Sequence, residues 1–150
     1  MKKIIALFSL ALLSFTAQAQ EIKWMSFNEA ISAQKKVAKP IFMDVYTDWC
    51  GPCKMLDRNT FSDPNFASHI NKNYYAVKFN AEGTEVINVN GKKFNNPNFD
   101  PNRKGRNAMH EFTGFLRVPG YPSMIVIDEK GAISKTIVGY KTAEQLKAEI

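Results

Sequence analysis

The residues best suited to chemistry are Cys50 and Cys53, the only two cysteines of a 150-residue chain. An apolar run at residues 41–46 precedes them and indicates a buried strand. A strand that leads into a helix places the second cysteine one helical turn after the first, where the two sulfurs can close a disulfide. The spacing therefore predicts a redox-active dithiol at the start of a helix.

Other uses of the pair are less favoured. A purely stabilising disulfide gains little from so short a loop, because closing it removes little chain entropy from the unfolded state. A zinc site would need His69 and His110, but their separation is far outside that of a histidine ligand pair. We interpret both histidines as ordinary helix residues and expect no metal and no cofactor. Copper transfer by the dithiol and a redox-inert binding module stay open as non-enzymatic alternatives.

The N-terminus has the form of a secretory signal. Lys2 and Lys3 are cationic, residues 4–15 are apolar, and Ala17-Gln18-Ala19 has the small-x-small form of a cleavage site. The apolar stretch is short for a membrane span. We expect cleavage near Ala19 and one mature domain over residues 20–150, in the periplasm or otherwise outside the cytoplasm, with a retained N-terminal anchor as the alternative.

The number and distribution of charged residues argue against nucleic-acid binding and exclude little else. The chain has 20 basic and 14 acidic residues, and two of the basic ones, Lys2 and Lys3, belong to the predicted signal. The rest are dispersed except for residues 103–106, Arg-Lys-Gly-Arg, which we interpret as a solvated loop. We expect a monomer that binds no nucleic acid.

Helical and strand patterns alternate in the first half of the chain. Ser26 and Glu29 form a capping box that begins a helix to about Lys36. Asp63 and Pro64 begin another helix. The predicted order is a helix at 26–36, a strand at 41–46, a helix at 50–59, a helix from 63 with Phe66, Ala67 and Ile70 inside, and a strand at 74–80.

The second half begins with an insertion at about 82–102. Asn90-Gly91 is a strong hairpin signal within residues 84–94, and residues 95–103 read as a loop. Apolar spacing predicts a helix from 104 to about 116. Strands at 123–128 and 132–138 form a hairpin, and Thr142 begins a last helix. We expect an α/β fold with a central mixed sheet and helices on both faces, the two early strands being parallel.

These features resemble the thioredoxin superfamily. The hexapeptide at 49–54, Trp-Cys-Gly-Pro-Cys-Lys, matches the family's active site. Asp44 falls where the family keeps a buried acid, and Lys78 resembles the lysine near that acid. Tyr121-Pro122 falls where the family has a cis-proline opposite the dithiol. The resemblance therefore implies a thioredoxin-like fold over nearly the whole mature chain, apart from the insertion.

Segments 38–40, 44–50 and 59–64 also resemble the C-terminal periplasmic domain of DsbD and its exported thioredoxin-like relatives. One departure is that the DsbD domain usually has bulkier residues between its cysteines, where this chain has Gly51 and Pro52. The departure concerns the choice of partner more than the reaction.

The resemblance assigns roles to the site. Cys50 is the expected nucleophile, because a helix N-terminus favours the thiolate, and Cys53 is the resolving cysteine. Asp44, a carboxyl group inside an apolar strand, is the expected proton acceptor, and burial should raise its pKa. Lys78 is expected to modulate Asp44, with an exposed strand lysine as the alternative.

The remaining site residues surround the dithiol. Trp49, Gly51, Pro52 and Lys54 complete the active-site loop, although Trp49 is equally consistent with plain core packing. Tyr121 and Pro122, with a cis bond between them, are expected to bind an extended substrate segment.

The implied function is that of a periplasmic protein-disulfide reductase. Its expected substrates are protein disulfides, and its electrons are expected from a membrane-embedded thiol donor. A disulfide oxidase or isomerase is the alternative enzyme, and a folding or copper chaperone the alternative non-enzyme. The insertion at 82–102 is interpreted as a decorated loop, with a docking surface as the alternative.

Overall fold

A central five-stranded sheet organises residues 20–150, the part of the chain that the computed structural model describes. The predicted signal and its cleavage site lie outside these residues. The elements in chain order are β1 Trp24–Met25, α1 Phe27–Lys36, β2 Ile41–Tyr46, α2 Gly51–Asn59, α3 Pro64–Asn73, β3 Tyr75–Asn80, β4 Ile87–Val89, β5 Lys92–Phe94, α4 Glu111–Phe115, β6 Ser123–Ile127, β7 Ile133–Val138 and α5 Ala143–Glu149.

The strand order is β1-β3-β2-β6-β7, with β2 in the middle. β2 and β3 are parallel, whereas β6 is antiparallel to both β2 and β7. Five of the six β2 residues are buried, as expected for a strand covered on both faces. The predicted mixed sheet, its parallel pair and its C-terminal hairpin are confirmed.

Two apolar cores lie on opposite faces of the sheet. One includes Met43 and Val45 of β2 and packs against Phe27 of α1 and Phe112 of α4. The other includes Phe42 of β2 and packs against α2, α3 and α5. Alternation along β2 therefore assigns even-numbered residues to the face covered by α2.

The helix starts follow their local sequence. Ser26 and Thr142 form complete capping boxes, and the Asp63 carboxylate accepts the Phe66 amide hydrogen bond at 2.7 Å. Each of these helices therefore begins at an oxygen-bearing side chain that accepts a free backbone N–H group.

The predicted helix over 104–116 is wrong in its first half, since α4 covers only Glu111–Phe115. Gly105 has φ of +84°, which reverses the chain. The Asn107 side chain bonds Ala108 N and both backbone groups of Asp100, an alternative to helical bonding. Met109, one of the apolar residues within the predicted helix, is 59% exposed. Local side-chain bonding has overridden the apolar spacing.

His110 is not an ordinary helix residue either. It caps α4 and is fully buried: its Nδ1 accepts from Phe112 N at 3.0 Å, which leaves Nε2 to donate to the Glu85 carbonyl at 2.7 Å. The histidine thus joins α4 to the insertion. His69 does lie within a helix, α3.

The insertion contains the predicted hairpin, β4 and β5, with Asn90 and Gly91 at positive φ in its turn. It is more than a decoration, because Ile87 and Phe94 are 0% and 3% exposed within the core on the α1 face. The Phe94 ring lies 5.4 Å from that of Phe112, centroid to centroid. The hairpin therefore completes this core.

Two phenylalanines of the insertion test this conclusion. Phe94→Ala should lower the free energy of unfolding by about 3 kcal/mol or more, because it opens a cavity in the core. Phe99→Ala, at a position that is 36% exposed, should cost less than about 1 kcal/mol. Urea unfolding of both variants measures the difference. Equal small losses would show that the hairpin is an independent appendage.

Candidate active site

Cys50 is the N-cap of α2, directly after the loop that follows β2. Its Sγ accepts from Cys53 N at 3.2 Å, and its carbonyl accepts from Lys54 N at 3.3 Å. Pro52 occupies the first turn, where the missing N–H of proline costs no hydrogen bond. The sulfur therefore lies at the positive end of the helix dipole, which favours a thiolate.

Cys50 and Cys53 form a disulfide with a Cα–Cα distance of 5.3 Å. Each residue is only 3% exposed, whereas Gly51, Pro52 and Lys54 are exposed. The two cysteines are therefore almost covered, and a reaction partner must approach this loop closely to reach them.

Asp44 lies beneath the dithiol helix. It is 1% exposed and occupies β2 between Lys78 of β3 and Met124 of β6. Strand alternation places its side chain on the same face as Phe42, which packs in one cluster with Leu56 of α2. Its Oδ1 has no hydrogen-bond partner among the described residues. A buried carboxyl oxygen is thus left available on the α2 side of the sheet.

Lys78 lies between two carboxylates. Its Nζ is 3.4 Å from Asp44 Oδ2 and also bonds Asp57 Oδ1 on α2. Three aromatic rings surround the ammonium group, at 5.1 to 5.5 Å from ring centroid to Nζ: Trp24, Tyr46 and Phe61. Lys78 is 24% exposed on its side chain and is therefore not the freely solvated strand lysine of the alternative interpretation.

Burial raises the pKa of Asp44 from 3.8 to about 7. The positive charge of Lys78 lowers this pKa, and the negative charge of Asp57 raises it. Because Lys78 also pairs with Asp57, its attraction does not offset the effect of burial, and the pKa of Asp44 stays above its ordinary value. The carboxyl group can therefore gain or lose a proton near neutral pH.

Tyr121 and Pro122 lie at the same end of the sheet as Cys50, because β6 starts at Ser123 opposite Val45 near the end of β2. The peptide bond between them is cis. The Pro122 carbonyl accepts from Gly139 N at 2.9 Å. Within residues 20–150, no protein group bonds the backbone of Tyr121, so its N–H and C=O are available.

Trp49 connects the site to the insertion and is 37% exposed. Its indole packs edge-on against Tyr121, with ring centroids 5.9 Å apart, and Nε1 donates to Glu82 Oε2 at 3.0 Å. The Arg106 guanidinium lies over its ring at 4.2 Å from the centroid. Of the two interpretations of Trp49, the geometry fits a residue at the site surface.

The sequence did not identify four residues that surround the candidate site: Asp57, Glu82, Arg106 and Asn107. Glu82 Oε2 accepts from both Trp49 Nε1 and Asn107 N. Asp57 had a local signal, since it lies one helical turn after Cys53 on the same helix. Glu82 had no local signal, and the contact of Arg106 with Trp49 depends on the path of residues 95–110, part of which the sequence wrongly assigned to a helix.

Known proteins share this fold. The family model for the thioredoxin-like domain matches residues 27–150. The chain belongs to the thioredoxin-like family. This thioredoxin-like chain carries its Cys50–Cys53 pair at C-x-x-C spacing.

The relatives include proteins named DsbD. The chain is 28% identical over 121 residues to the thiol:disulfide interchange protein DsbD of Pectobacterium atrosepticum, covering 79% of this chain and 17% of that protein. A match to DsbD of Citrobacter koseri is 46% identical over 39 residues, covering 26% of this chain and 6% of that protein. The thioredoxin-like chain thus spans only a small part of the length of these curated relatives.

Solved structures show the same fold. A putative disulphide-isomerase from Bacteroides thetaiotaomicron is 28% identical with a TM-score of 0.59, covering 89% of this chain and 93% of that one. A thioredoxin from Thermus thermophilus has a TM-score of 0.61 at 14% identity, covering 86% and 84%, a likeness of fold alone.

Two features are absent from residues 20–150. No helix there has the length and apolar character needed to cross a membrane. The same residues contain no group of three or more His, Cys, Asp or Glu side chains placed to hold a metal ion.

The buried carboxyl group should make stability depend on pH. The pKa of Asp44 is higher in the folded than in the unfolded chain, so the folded state binds the extra proton and loses stability as pH rises from about 4 to about 7. Asp44→Asn should therefore stabilise the oxidised protein, by on the order of 2 kcal/mol more at pH 8 than at pH 5. Urea unfolding at both pH values measures this, and a pH-independent effect would contradict it.

Two further variants form a matched pair for the same titration. Lys78→Gln removes the charge that lowers the pKa of Asp44, so ionisation should move to higher pH. Asp57→Asn removes the charge that raises this pKa, so ionisation should move to lower pH. The carboxyl ¹³C shift of Asp44 reports both directly by NMR. Shifts in the same direction would refute the shared-lysine geometry.

Proposed function

We propose that the protein is a periplasmic protein-disulfide reductase, exported by a signal at residues 1–19 that is cleaved near Ala19. The observation that carries the proposal is the placement of Cys50 at the N-cap of α2, paired with Cys53 and lying above the buried carboxyl group of Asp44. The mature thioredoxin-like domain is residues 20–150.

Cys50 is the proposed nucleophile. In the reduced protein its thiolate attacks one sulfur of a substrate disulfide, and the other substrate sulfur leaves as a thiolate that takes up a proton. The Cys53 thiolate then attacks Cys50 Sγ and displaces the second substrate thiol. The substrate gains two electrons and two protons, and the protein is left with the Cys50–Cys53 disulfide seen in the structure.

Asp44 is the proposed proton acceptor for Cys53. Cys53 is 3% exposed and must lose its proton during the second step, where little water reaches it. A carboxyl group with a pKa of about 7 on the α2 side of the sheet is suited to take that proton, directly or through a water molecule. Lys78 modulates Asp44 through its charge, and Asp57 limits that effect by binding the same lysine.

Tyr121 and Pro122 are the proposed substrate-binding residues. The free N–H and C=O of Tyr121 can pair with an extended substrate backbone, in a short form of strand addition. The Tyr121 ring, packed on Trp49, lies beside the bound segment. Such backbone pairing holds an extended chain near Cys50 without requiring a particular side chain.

Reduction is the favoured direction for two reasons. Gly51 and Pro52 match the thioredoxin loop, and the relatives named DsbD are described as thiol:disulfide interchange proteins. Because the periplasm is oxidising, a reductase there needs electrons from elsewhere. We therefore propose a membrane-embedded thiol donor, with protein disulfides as substrates and the protein acting as a monomer.

Disulfide isomerisation is the second candidate. It is favoured by the likeness to the putative disulphide-isomerase from Bacteroides thetaiotaomicron, which spans nearly the whole of both chains. Isomerisation uses the same attack by Cys50 but ends with a rearranged substrate disulfide and a protein that is again reduced. The two functions therefore differ in redox balance rather than in the first step.

The two cysteines should behave differently when replaced. Cys50→Ser should reduce insulin no faster than the background rate, because the attacking sulfur is gone. Cys53→Ala keeps the attack but cannot resolve it, so mixed disulfides should accumulate in the native host and identify the substrates on non-reducing gels. The double variant is the control and should trap nothing. Full insulin reduction by Cys50→Ser would exclude Cys50 as the nucleophile.

The physiological direction of the reaction can be tested by equilibrating the Cys50–Cys53 pair with glutathione. A reductase should have a reduction potential close to that of thioredoxin, about −270 mV, and far below that of a strong oxidant such as DsbA, about −120 mV. Mass spectrometry after thiol alkylation gives the reduced fraction at each glutathione ratio. A potential near −120 mV would overturn the reductase assignment, and one near −180 mV would favour the isomerase.

A further inference from the structure

We propose that Arg106 is a specificity residue that selects substrate disulfides flanked by acidic side chains. The inference rests on the proposed function and adds to it the chemical class of the partner. The Arg106 guanidinium lies 4.2 Å from the centroid of the Trp49 ring. Trp49 directly precedes the proposed nucleophile, Cys50, in the sequence.

The contact between this guanidinium and the Trp49 ring does not use its hydrogen-bond donors. A guanidinium attracted to an indole face by its charge keeps its N–H groups free for other acceptors. Within the part of the chain that the structure describes, the Arg106 side chain forms no hydrogen bond and no ion pair. Arg106 is exposed, so these donors are open to solvent beside Trp49, the residue before Cys50.

The segment that carries Arg106 is fastened to the site. Glu82 Oε2 accepts from Trp49 Nε1 at 3.0 Å and from Asn107 N at 2.8 Å, so one carboxylate holds both the indole and the residue after Arg106. The Asn107 side chain also bonds Ala108 N and Asp100 N. The guanidinium is therefore held in position before a substrate arrives, which lowers the entropic cost of binding.

Three acidic residues also lie near this position, and because the hydrogen bonds they accept from neutral groups leave their charges in place, the preference rests on the placement of Arg106 beside Trp49 rather than on the net charge of this region. Glu82 accepts from Trp49 and Asn107, Asp48 Oδ2 accepts from Asn80, and Asp100 Oδ1 accepts from Asn102 N. Two neighbouring cations, Arg103 and Lys104, share the property of Arg106: no side-chain hydrogen bond or ion pair is formed within residues 20–150.

A carboxylate is the group that fits such donors. An Arg fork binds a carboxylate through two parallel N–H···O bonds, which a lysine or an amide on the substrate cannot form. A substrate with Glu or Asp beside its cysteine would place that group near Arg106 while its backbone pairs with Tyr121. Because the contact lies at an exposed rim, we expect it to act on the rate of association and to weaken with salt.

The test uses short peptide dimers joined by one disulfide, with Glu, Gln or Lys on both sides of each cysteine. The pre-reduced full-length mature protein reacts in a single turnover, so the electrons come only from its own dithiol. Samples are quenched with acid, and the released peptide thiol is measured by chromatography. At low salt the wild-type rate constant should be at least about three-fold higher for the Glu peptide than for the Gln peptide, and lowest for the Lys peptide.

Variants at Arg106 separate charge from the packing of Trp49. Arg106→Gln should bring the Glu/Gln rate ratio close to one. Arg106→Glu should invert the order, so that the Lys peptide reacts faster than the Glu peptide, and Arg106→Lys should recover part of the original ratio. An unchanged order in Arg106→Glu would overturn the proposal.

Lys130→Gln is the matched control for loss of one positive charge. Lys130 lies beyond Ile127, which pairs with Ile41 at the start of β2, and thus at the opposite end of the sheet from Cys50. The Glu/Gln ratio should not change in this variant, and an equal fall would show that only net charge matters. Wild-type protein that reacts with all three peptides at one rate refutes the acidic preference alone, whereas protein that reduces neither the peptides nor insulin refutes the reductase itself.

Discussion

A buried carboxyl group in the central strand is the constraint on which the rest of this structure depends. Asp44 is 1% exposed, and one of its oxygens has no partner among the described residues. Burying such a group costs several kcal/mol unless it is fully paired or protonated. A valine at this position would pack in β2 without that cost, so a residue chosen for stability alone would not be an aspartate.

The surrounding packing offsets this cost. Two aromatic-rich cores press on opposite faces of the sheet, and β2 contributes to both. Lys78 supplies a positive charge at 3.4 Å, but it is also bound to Asp57 on the helix that carries the dithiol. The arrangement therefore leaves Asp44 only partly compensated, with a pKa of about 7 rather than 3.8. A group held in this state is poised for proton transfer, which is the physical link between the fold and the proposed chemistry.

The start of the dithiol helix, α2, is a second place where the residues present favour reactivity over stability. α1, α3 and α5 begin at Ser26, Asp63 and Thr142, whose oxygens are strong N-caps. α2 begins at a cysteine and has no acidic residue in its first turn. An acid there would stabilise the helix dipole but would repel a thiolate at the same place. The weak cap and the absence of negative charge both leave the positive end of α2 to the sulfur of Cys50.

The predictable and unpredictable parts of the molecule differ in the range of the interactions that form them. β2, the start of α2 and the C-terminal hairpin follow from local apolar patterns, caps and turns, and the sequence was sufficient for them. β1 has only two residues and depends on pairing with β3, so no local pattern could reveal it. The bond from Trp49 to Glu82 spans 33 positions, and the segment that brings Arg106 to Trp49 follows a path set by Asn107 and Gly105. Here a left-handed glycine and an asparagine side chain decide where the chain runs.

The insertion contacts both the apolar core and the surroundings of the dithiol. Ile87 and Phe94 fix its hairpin in the core, and His110 bonds its Glu85 carbonyl where the chain enters α4. A loop held at both ends in this way can carry side chains to the dithiol with little freedom of its own. In the proposed function, pairing through the Tyr121 backbone is independent of sequence, because every substrate chain offers N–H and C=O groups. Discrimination between partners would then come from side chains, and Arg106 is a cation that lies over Trp49, the residue before the proposed nucleophile. On this proposal the chemistry of the dithiol and the choice of partner reside in different parts of the chain, joined by Trp49.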